Sequence, residues 1–161
     1  MYIVDLLNSG SEILKRKNIK TSILDSEIIL SFVINKDRDH IILNEKNKID
    51  KRSIEKFYKL INRRKTGEPI SYIINKKHFW NCTFYVDNNV LIPRPDSEHL
   101  VEEVLKLTKK YSRKSILDIG TGSGCILLSI LNERKFCTGY GLDISKNSIN
   151  VSKINAKRLN L

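Results

Sequence analysis

No apolar run in this chain approaches the length of a membrane span, and the first twenty residues mix Asp5 and Glu12 with Lys15, Arg16 and Lys17. A spanning helix and a secretory signal are therefore not expected, and a cytoplasmic location is. Cysteine is scarce: Cys82, Cys125 and Cys137 are odd in number and form no Cys-x-x-Cys, while His40, His78 and His99 lack ligand spacing. Neither a disulfide framework nor a metal site follows, and the three thiols read as small apolar residues of strands and helices. The three prolines are Pro69, Pro93 and Pro95, with none beyond. There is no internal repeat and no low-complexity linker, so 161 residues make one domain, or a small domain plus part of another.

What is abundant is positive charge, a formal +11. A basic surface attracts phosphate backbones. Here the excess is spread evenly: residues 1–75 hold 15 basic and 10 acidic side chains, residues 76–161 hold 14 and 8. Without a basic block, the charge reads as overall composition and direct nucleic-acid binding is not expected, although a basic face for a ribosome-associated or RNA-mimicking partner stays open.

Glycine is also sparse, seven in all, yet three fall at alternate positions in Ile116-Leu117-Asp118-Ile119-Gly120-Thr121-Gly122-Ser123-Gly124-Cys125-Ile126. Apolar run, glycines and renewed apolar pattern read as strand, tight loop and helix. The loop backbone is open to a ligand at the helix N-terminus. A dinucleotide fingerprint would put its third glycine where Cys125 stands, and the Gly-Lys-Ser/Thr of a phosphate loop is absent. A second strand, 137–143, ends in Asp143, roughly 20 residues past the glycines, where a doubly wound fold brings a carboxylate to ribose hydroxyls. Loop and acid together outline an adenosine pocket. The alternatives are a tight turn without a ligand for Gly120, Gly122 and Gly124, and a helix-capping acid for Asp143.

Upstream, helical periodicity governs the chain. Ile3, Leu6, Leu7, Ile13 and Leu14 mark a first amphipathic helix. Ser22 is placed to cap a second, with Leu24, Ile28 and Phe32 beside Ile29 and Val33 at i, i+4 spacing, and it should be the most buried helix of this part. Asp37 starts a short helix through Ile41 to Leu43. Asp50 starts a longer one with Ile54, Phe57, Tyr58 and Ile61, stopped by Gly67 and Pro69. No chemistry-bearing cluster appears there, and a bundle this small has little surface to bury. From Lys76 the period changes. Phe79–Phe84 with Val86 reads as strand, Asn88-Asn89 as turn and Val90–Ile92 as a returning strand, a hairpin. Pro93 and Pro95 hold Arg94 extended, and Asp96 or Ser97 caps a helix with Leu100, Val101, Val104 and Leu105 on one face. Arg94 is either a surface residue of a rigid linker or part of an active-site floor. After strand 115–119 and the loop come a helix at 125–131, strand 137–143, and a helix capped by Ser145 through Ile149, Ile154 and Leu159.

Asp118 to Gly124 with Asp143 resembles motif I and the ribose acid of class I S-adenosylmethionine-dependent methyltransferases. Three further stretches, Arg63-Arg64-x-x-Gly67-Glu68-Pro69-Ile70-x-Tyr72-Ile73, Phe79 with Phe84-x-Val86, and Val90-Leu91-Ile92-Pro93-Arg94-Pro95-Asp96-Ser97-Glu98, are similar to the release factor glutamine methyltransferases, the HemK or PrmC family. The resemblance implies an α/β chain in three parts: a helical substrate-docking domain (1–73), a β-hairpin connector (74–95), and the N-terminal part of a Rossmann-like methyltransferase domain (96–161). It implies S-adenosyl-L-methionine held by Asp118, Gly120, Thr121, Gly122, Ser123, Gly124 and Asp143, and places Arg94 near the substrate. It also implies peptide chain release factors as partners, methylated on the glutamine of Gly-Gly-Gln, with no metal and no membrane. The family's amide-gripping Asn-Pro-Pro-Tyr is missing, since no proline follows Pro95, so no catalytic residue is assigned and the chain reads as truncated after two βα units. Asn75 stands where the family has glycine, and asparagine tolerates left-handed backbone. The rival readings are a methyltransferase for a ribosomal-protein glutamine or a nucleic-acid adenine, and a non-catalytic fragment that only binds partners.

Overall fold

The computed structural model describes every residue, Met1–Leu161. It is a mixed helix and sheet structure with two compact units, Met1–Ile74 and Asn75–Leu161. No helix is long and apolar enough to cross a membrane.

The first unit is helical: α1 (Ile3–Lys15), α2 (Ser22–Ile34), α3 (Arg38–Leu43), α4 (Lys51–Lys65) and α5 (Ile70–Ile73). Local chemistry sets the ends. The Asp5 carboxylate accepts the Tyr2 amide at 3.1 Å, and Asp50 Oδ1 accepts the Ser53 amide at 2.9 Å, each satisfying an N–H that the helix start leaves free. Asn35 and Gly67, with φ of 52° and 95°, turn the chain out of α2 and past α4. The core is Ile3, Leu6 and Leu14 of α1, Ile29 and Leu30 of α2, Ile41 of α3, Phe57, Leu60 and Ile61 of α4, and Ile73 of α5. Gly10 lets α1 close on α4 and α2: a Cβ there would stand 2.6 Å from both Phe57 Cζ and Ser26 Oγ.

The buried face of α2 differs from the expected stripe. Ser22, Asp25, Ser26, Ile29 and Leu30 face inward, while Leu24 and Phe32 are exposed and Lys56 Nζ lies over the Phe32 ring. This helix is apolar nearly all round, so periodicity alone does not choose a face. Polar partners choose it: Ser26 Oγ donates to the Leu7 carbonyl at 3.1 Å, and Asp25 accepts Arg64 Nε at 2.7 Å and Thr21 Oγ1 at 2.9 Å.

In the second unit the hairpin is shorter and earlier than expected. β1 (Lys77–Phe79) pairs antiparallel with β2 (Cys82–Phe84) around Trp80-Asn81, and Val90–Ile92 forms no strand. Trp80 has φ 52°, a conformation costly for a bulky residue. It is held by long-range carboxylates: Glu98 Oε1 accepts the Trp80 amide at 2.9 Å, and Glu133 Oε1 accepts the Trp80 indole at 3.1 Å and Asn81 Nδ2 at 3.0 Å. At Asn88-Asn89 the chain does turn, but neither asparagine has positive φ. Asp87 gathers the Asn89 amide at 2.9 Å, so the bend runs onward instead of folding back into a ladder.

A short 3-10 helix (Pro95–Ser97) leads into α6 (Glu98–Leu107), with Val101 buried and Leu100 exposed, contrary to its expected place on the inner face. Then follow β3 (Ser115–Ile119), α7 (Cys125–Glu133), β4 (Thr138–Leu142) and α8 (Lys146–Arg158). β3 and β4 are parallel, registered from Ser115 opposite Thr138 to Ile119 opposite Leu142. Gly139 admits α7 onto the sheet, since a Cβ there would stand 2.7 Å from Leu131 Cδ1 and 2.8 Å from Leu127 Cδ1. The other face carries Leu117, Ile119, Tyr140 and Leu142, all exposed. On α8 the buried residues are Ser148, Val151 and Asn155, while Ile154 is exposed. Phe79, Cys82, Phe84, Val101, Cys125, Leu128 and Ile130 form this unit's core, with Phe79 and Phe84 edge to face at 6.2 Å.

Candidate functional site

The glycine loop joins the end of β3 to the start of α7. Gly120, Gly122 and Gly124 have φ of 81°, 55° and 79°, so the chain makes three left-handed steps within five residues. Only glycine takes these at little cost. Their surroundings differ. A Cβ at Gly120 would meet nothing within 4 Å, and one at Gly122 only the Gly120 carbonyl at 4.0 Å, whereas at Gly124 it would lie 2.9 Å from Leu128 Cδ1. The first two therefore border open space, and the third is packed against α7. Gly124, the N-cap of α7, has no side chain to bond the first amides of that helix, which have no intrahelical partner. Bare backbone and the positive end of a helix dipole suit a ligand with anionic or hydrogen-bond-accepting groups.

The expected acid is brought to this loop. Asp143, one residue past β4, accepts the Gly122 amide on Oδ2 at 2.9 Å and the Ser145 amide on Oδ1 at 2.9 Å. These bonds, that from Ser145 first, hold its carboxyl below the usual carboxylate range, so it is ionised at neutral pH. Each oxygen has a second lone pair, so the group retains acceptor capacity for a further pair of hydroxyls. Cap and ligand contact are thus compatible roles for Asp143.

At the base of the loop, Thr121 Oγ1 donates to Asp118 Oδ2 at 2.8 Å, and the Gly120 and Thr121 amides both donate to the Leu142 carbonyl, at 2.8 and 2.9 Å. Asp118 therefore shapes the loop from within. Thr121 and Ser123 are buried. Burial pushes the neighbouring Cys125 thiol up, so it is neutral and no nucleophile. Arg94 stands on an extended residue (φ −95°, ψ 141°), exposed and with no ion pair. Its backbone conformation is the expected one, and no hydrogen bond links its side chain to the glycines. Asn155 of α8, which no sequence signal singled out, donates Nδ2–H to the Ser123 carbonyl at 2.8 Å. Its only trace in the sequence is a polar residue on the inward side of α8.

Residues 5–74 match the family described as PrmC N-terminal domain. The whole chain is similar to curated proteins named release factor glutamine methyltransferase. It is 43% identical to one from Buchnera aphidicola subsp. Baizongia pistaciae over all 161 residues, covering 58% of that relative. To one from Clostridium acetobutylicum it is 42% identical, covering 56%, and to one from Caulobacter vibrioides 34%, also covering 56%, each over all 161 residues. The chain thus spans little more than half the length of these relatives.

Proposed function

From a chain that resembles the release factor glutamine methyltransferases, the HemK or PrmC family, along its full length, we propose that it carries the substrate-docking domain and the first half of the cofactor domain of a protein-glutamine methyltransferase. Relatives that are methyltransferases support the reaction class, and their name supports release factors as the methyl acceptor. The observation that carries the proposal is the pairing of loop and acid: open backbone at Gly120 and Gly122, with the ionised Asp143 bonded to the Gly122 amide.

In this reading the cofactor is S-adenosyl-L-methionine, which when bound supplies an electrophilic methyl group. Gly120, Thr121, Gly122, Ser123 and Gly124 offer it a side-chain-free cradle, Asp118 holds that cradle in shape through Thr121, and Asp143 accepts the ribose hydroxyls. A charge-assisted bond from a fixed carboxylate is about twice as strong as a neutral one, so Asp143 would be the chief polar anchor. Arg94 keeps its proposed place on the substrate side. The helical part, 1–73, is proposed to dock the release factor, the segment 74–95 to connect, and 96–161 to be the start of a Rossmann-like methyltransferase domain. The two parallel βα units β3-α7 and β4-α8 support that last assignment.

An amide nitrogen is a poor nucleophile because its lone pair is delocalised, so transfer depends on orienting it. The orienting Asn-Pro-Pro-Tyr of the family is absent from these 161 residues. The test is incubation with labelled S-adenosylmethionine and a release factor, using the 161 residues alone and a form extended through that segment. Label on the factor's glutamine from the extended form only is the expected result. Equal label from both would show that an acceptor site lies within residues 1–161, and label from neither would remove the release factor as substrate.

A further inference from the structure

Asn155 is buried to 1% exposure and uses its amide in three directions. Oδ1 accepts the Tyr85 amide at 2.7 Å, while Nδ2 donates to the Tyr85 carbonyl at 3.0 Å and to the Ser123 carbonyl at 2.8 Å. Towards Tyr85 the side chain acts as a neighbouring strand would, satisfying both backbone groups of one residue. With its remaining hydrogen it holds the residue between the second and third glycines of the loop. A buried amide has no water to fall back on, so all three bonds matter to its neighbours.

The consequence for the loop is geometric. A peptide group is planar, so fixing the Ser123 carbonyl fixes the Gly124 N–H of the same plane, which donates to the Thr121 carbonyl at 2.8 Å. Asp143 fixes the preceding plane but one through the Gly122 amide. The loop is thus pinned from two sides, by a carboxylate at the end of β4 and by an amide inside α8. Other bonds tie α8 to the same segment without touching the loop: Ser148 Oγ donates to the Asn89 carbonyl at 3.1 Å, and Asn147 Nδ2 to Asn89 Oδ1 at 3.2 Å. They provide an internal control.

We propose that Asn155 is a positioning residue for the glycine loop, setting the backbone shape that receives the adenosyl ligand; the ligand part rests on the reading above. Asn155→Asp keeps the size and the acceptor for Tyr85, but at neutral pH it turns a carboxylate on two carbonyl oxygens. Protonation of that acid, favoured by burial and by the facing carbonyls, would restore one donor.

The experiment compares the full chain, Asn155→Asp and Ser148→Ala by amide hydrogen exchange and by calorimetric titration with S-adenosylhomocysteine. In Asn155→Asp the Gly122, Ser123 and Gly124 amides should exchange faster and affinity should fall about tenfold or more, recovering in part as the pH is lowered. Ser148→Ala should leave both as in the native chain. Native-like loop exchange in folded Asn155→Asp, or equal loosening in Ser148→Ala, overturns the proposal. If the native chain binds no S-adenosylhomocysteine, the cofactor reading fails and loop exchange alone judges Asn155. If Asn155→Asp does not fold, the native chain decides: its Asn155 side-chain amide protons should be protected and should shift on adding S-adenosylhomocysteine, and rapid exchange or no shift counts against the role.

Discussion

Gly120→Ala and Gly124→Ala should separate the two jobs of the glycine loop. Both residues have φ near 80°, so alanine at either costs about 1–2 kcal/mol of stability from left-handed backbone alone. At Gly120 nothing is added, because the new Cβ meets no atom within 4 Å. At Gly124 the Cβ would stand 2.9 Å from Leu128 Cδ1 and 3.2 Å from Ser152 Cβ. The leucine tip can swing but the serine Cβ is fixed to α8, so overpacking adds about 1–2 kcal/mol, the lower part of the usual range. Urea unfolding should therefore rank Gly124→Ala as the more damaged. Affinity for S-adenosylhomocysteine should show the opposite bias relative to stability: Gly120→Ala fills the open space and should lose at least about tenfold, or about 1.4 kcal/mol, while still well folded. Native affinity in folded Gly120→Ala would refute the idea that this space is the ligand cradle.

In α1, Gly10→Ala should destabilise by about 1–2 kcal/mol in urea unfolding. The usual helical gain of about 1 kcal/mol is outweighed because the Cβ would meet the buried Phe57 ring and Ser26, itself bonded to Leu7. Stabilisation would show that α1 and α4 separate easily. The hairpin turn should be acid-sensitive. Bonds from Asn81 and Trp80 hold the Glu133 carboxyl below its ordinary value of 4.5, so its contribution is complete above that pH and is lost as pH falls through the lowered value. Fluorescence of Trp80, the single tryptophan, should be flat above about pH 5 and change only below pH 4.5, and Glu133→Gln should abolish that step.

What was legible in the sequence was what local chemistry determines. Ser115–Ile119 follows from its apolar run, the glycine loop from three glycines with no other reason to cluster, and the nearness of Asp143 to Gly122 from the length of one βα unit. Asn75 adopts φ 50°, as an asparagine in place of glycine can. What escaped depended on distant partners. Asn88-Asn89 is the better local turn signal, yet the reversal lies at Trp80-Asn81 because Glu98 and Glu133, far along the chain, hold it. The face of α2 was set by Arg64, 39 residues beyond Asp25. Leu100 fits one helical face with Val101, Val104 and Leu105 but faces outward, since period marks a stripe and only packing decides what covers it. Asn155 reads as an ordinary helical polar residue until Tyr85 and Ser123 are seen around it.

The adenosyl ligand is expected on the glycine loop. The chain has seven glycines, Gly10 and Gly67 in the helical unit and Gly120, Gly122, Gly124, Gly139 and Gly141 around the loop and β4. With glycine labelled by nitrogen-15, titration of S-adenosylhomocysteine should shift the amides of Gly120, Gly122 and Gly124 together along one saturable curve and leave Gly10 and Gly67 still. Saturating ligand that moves none of the three loop amides, or that moves Gly10 or Gly67 in their place, would contradict it.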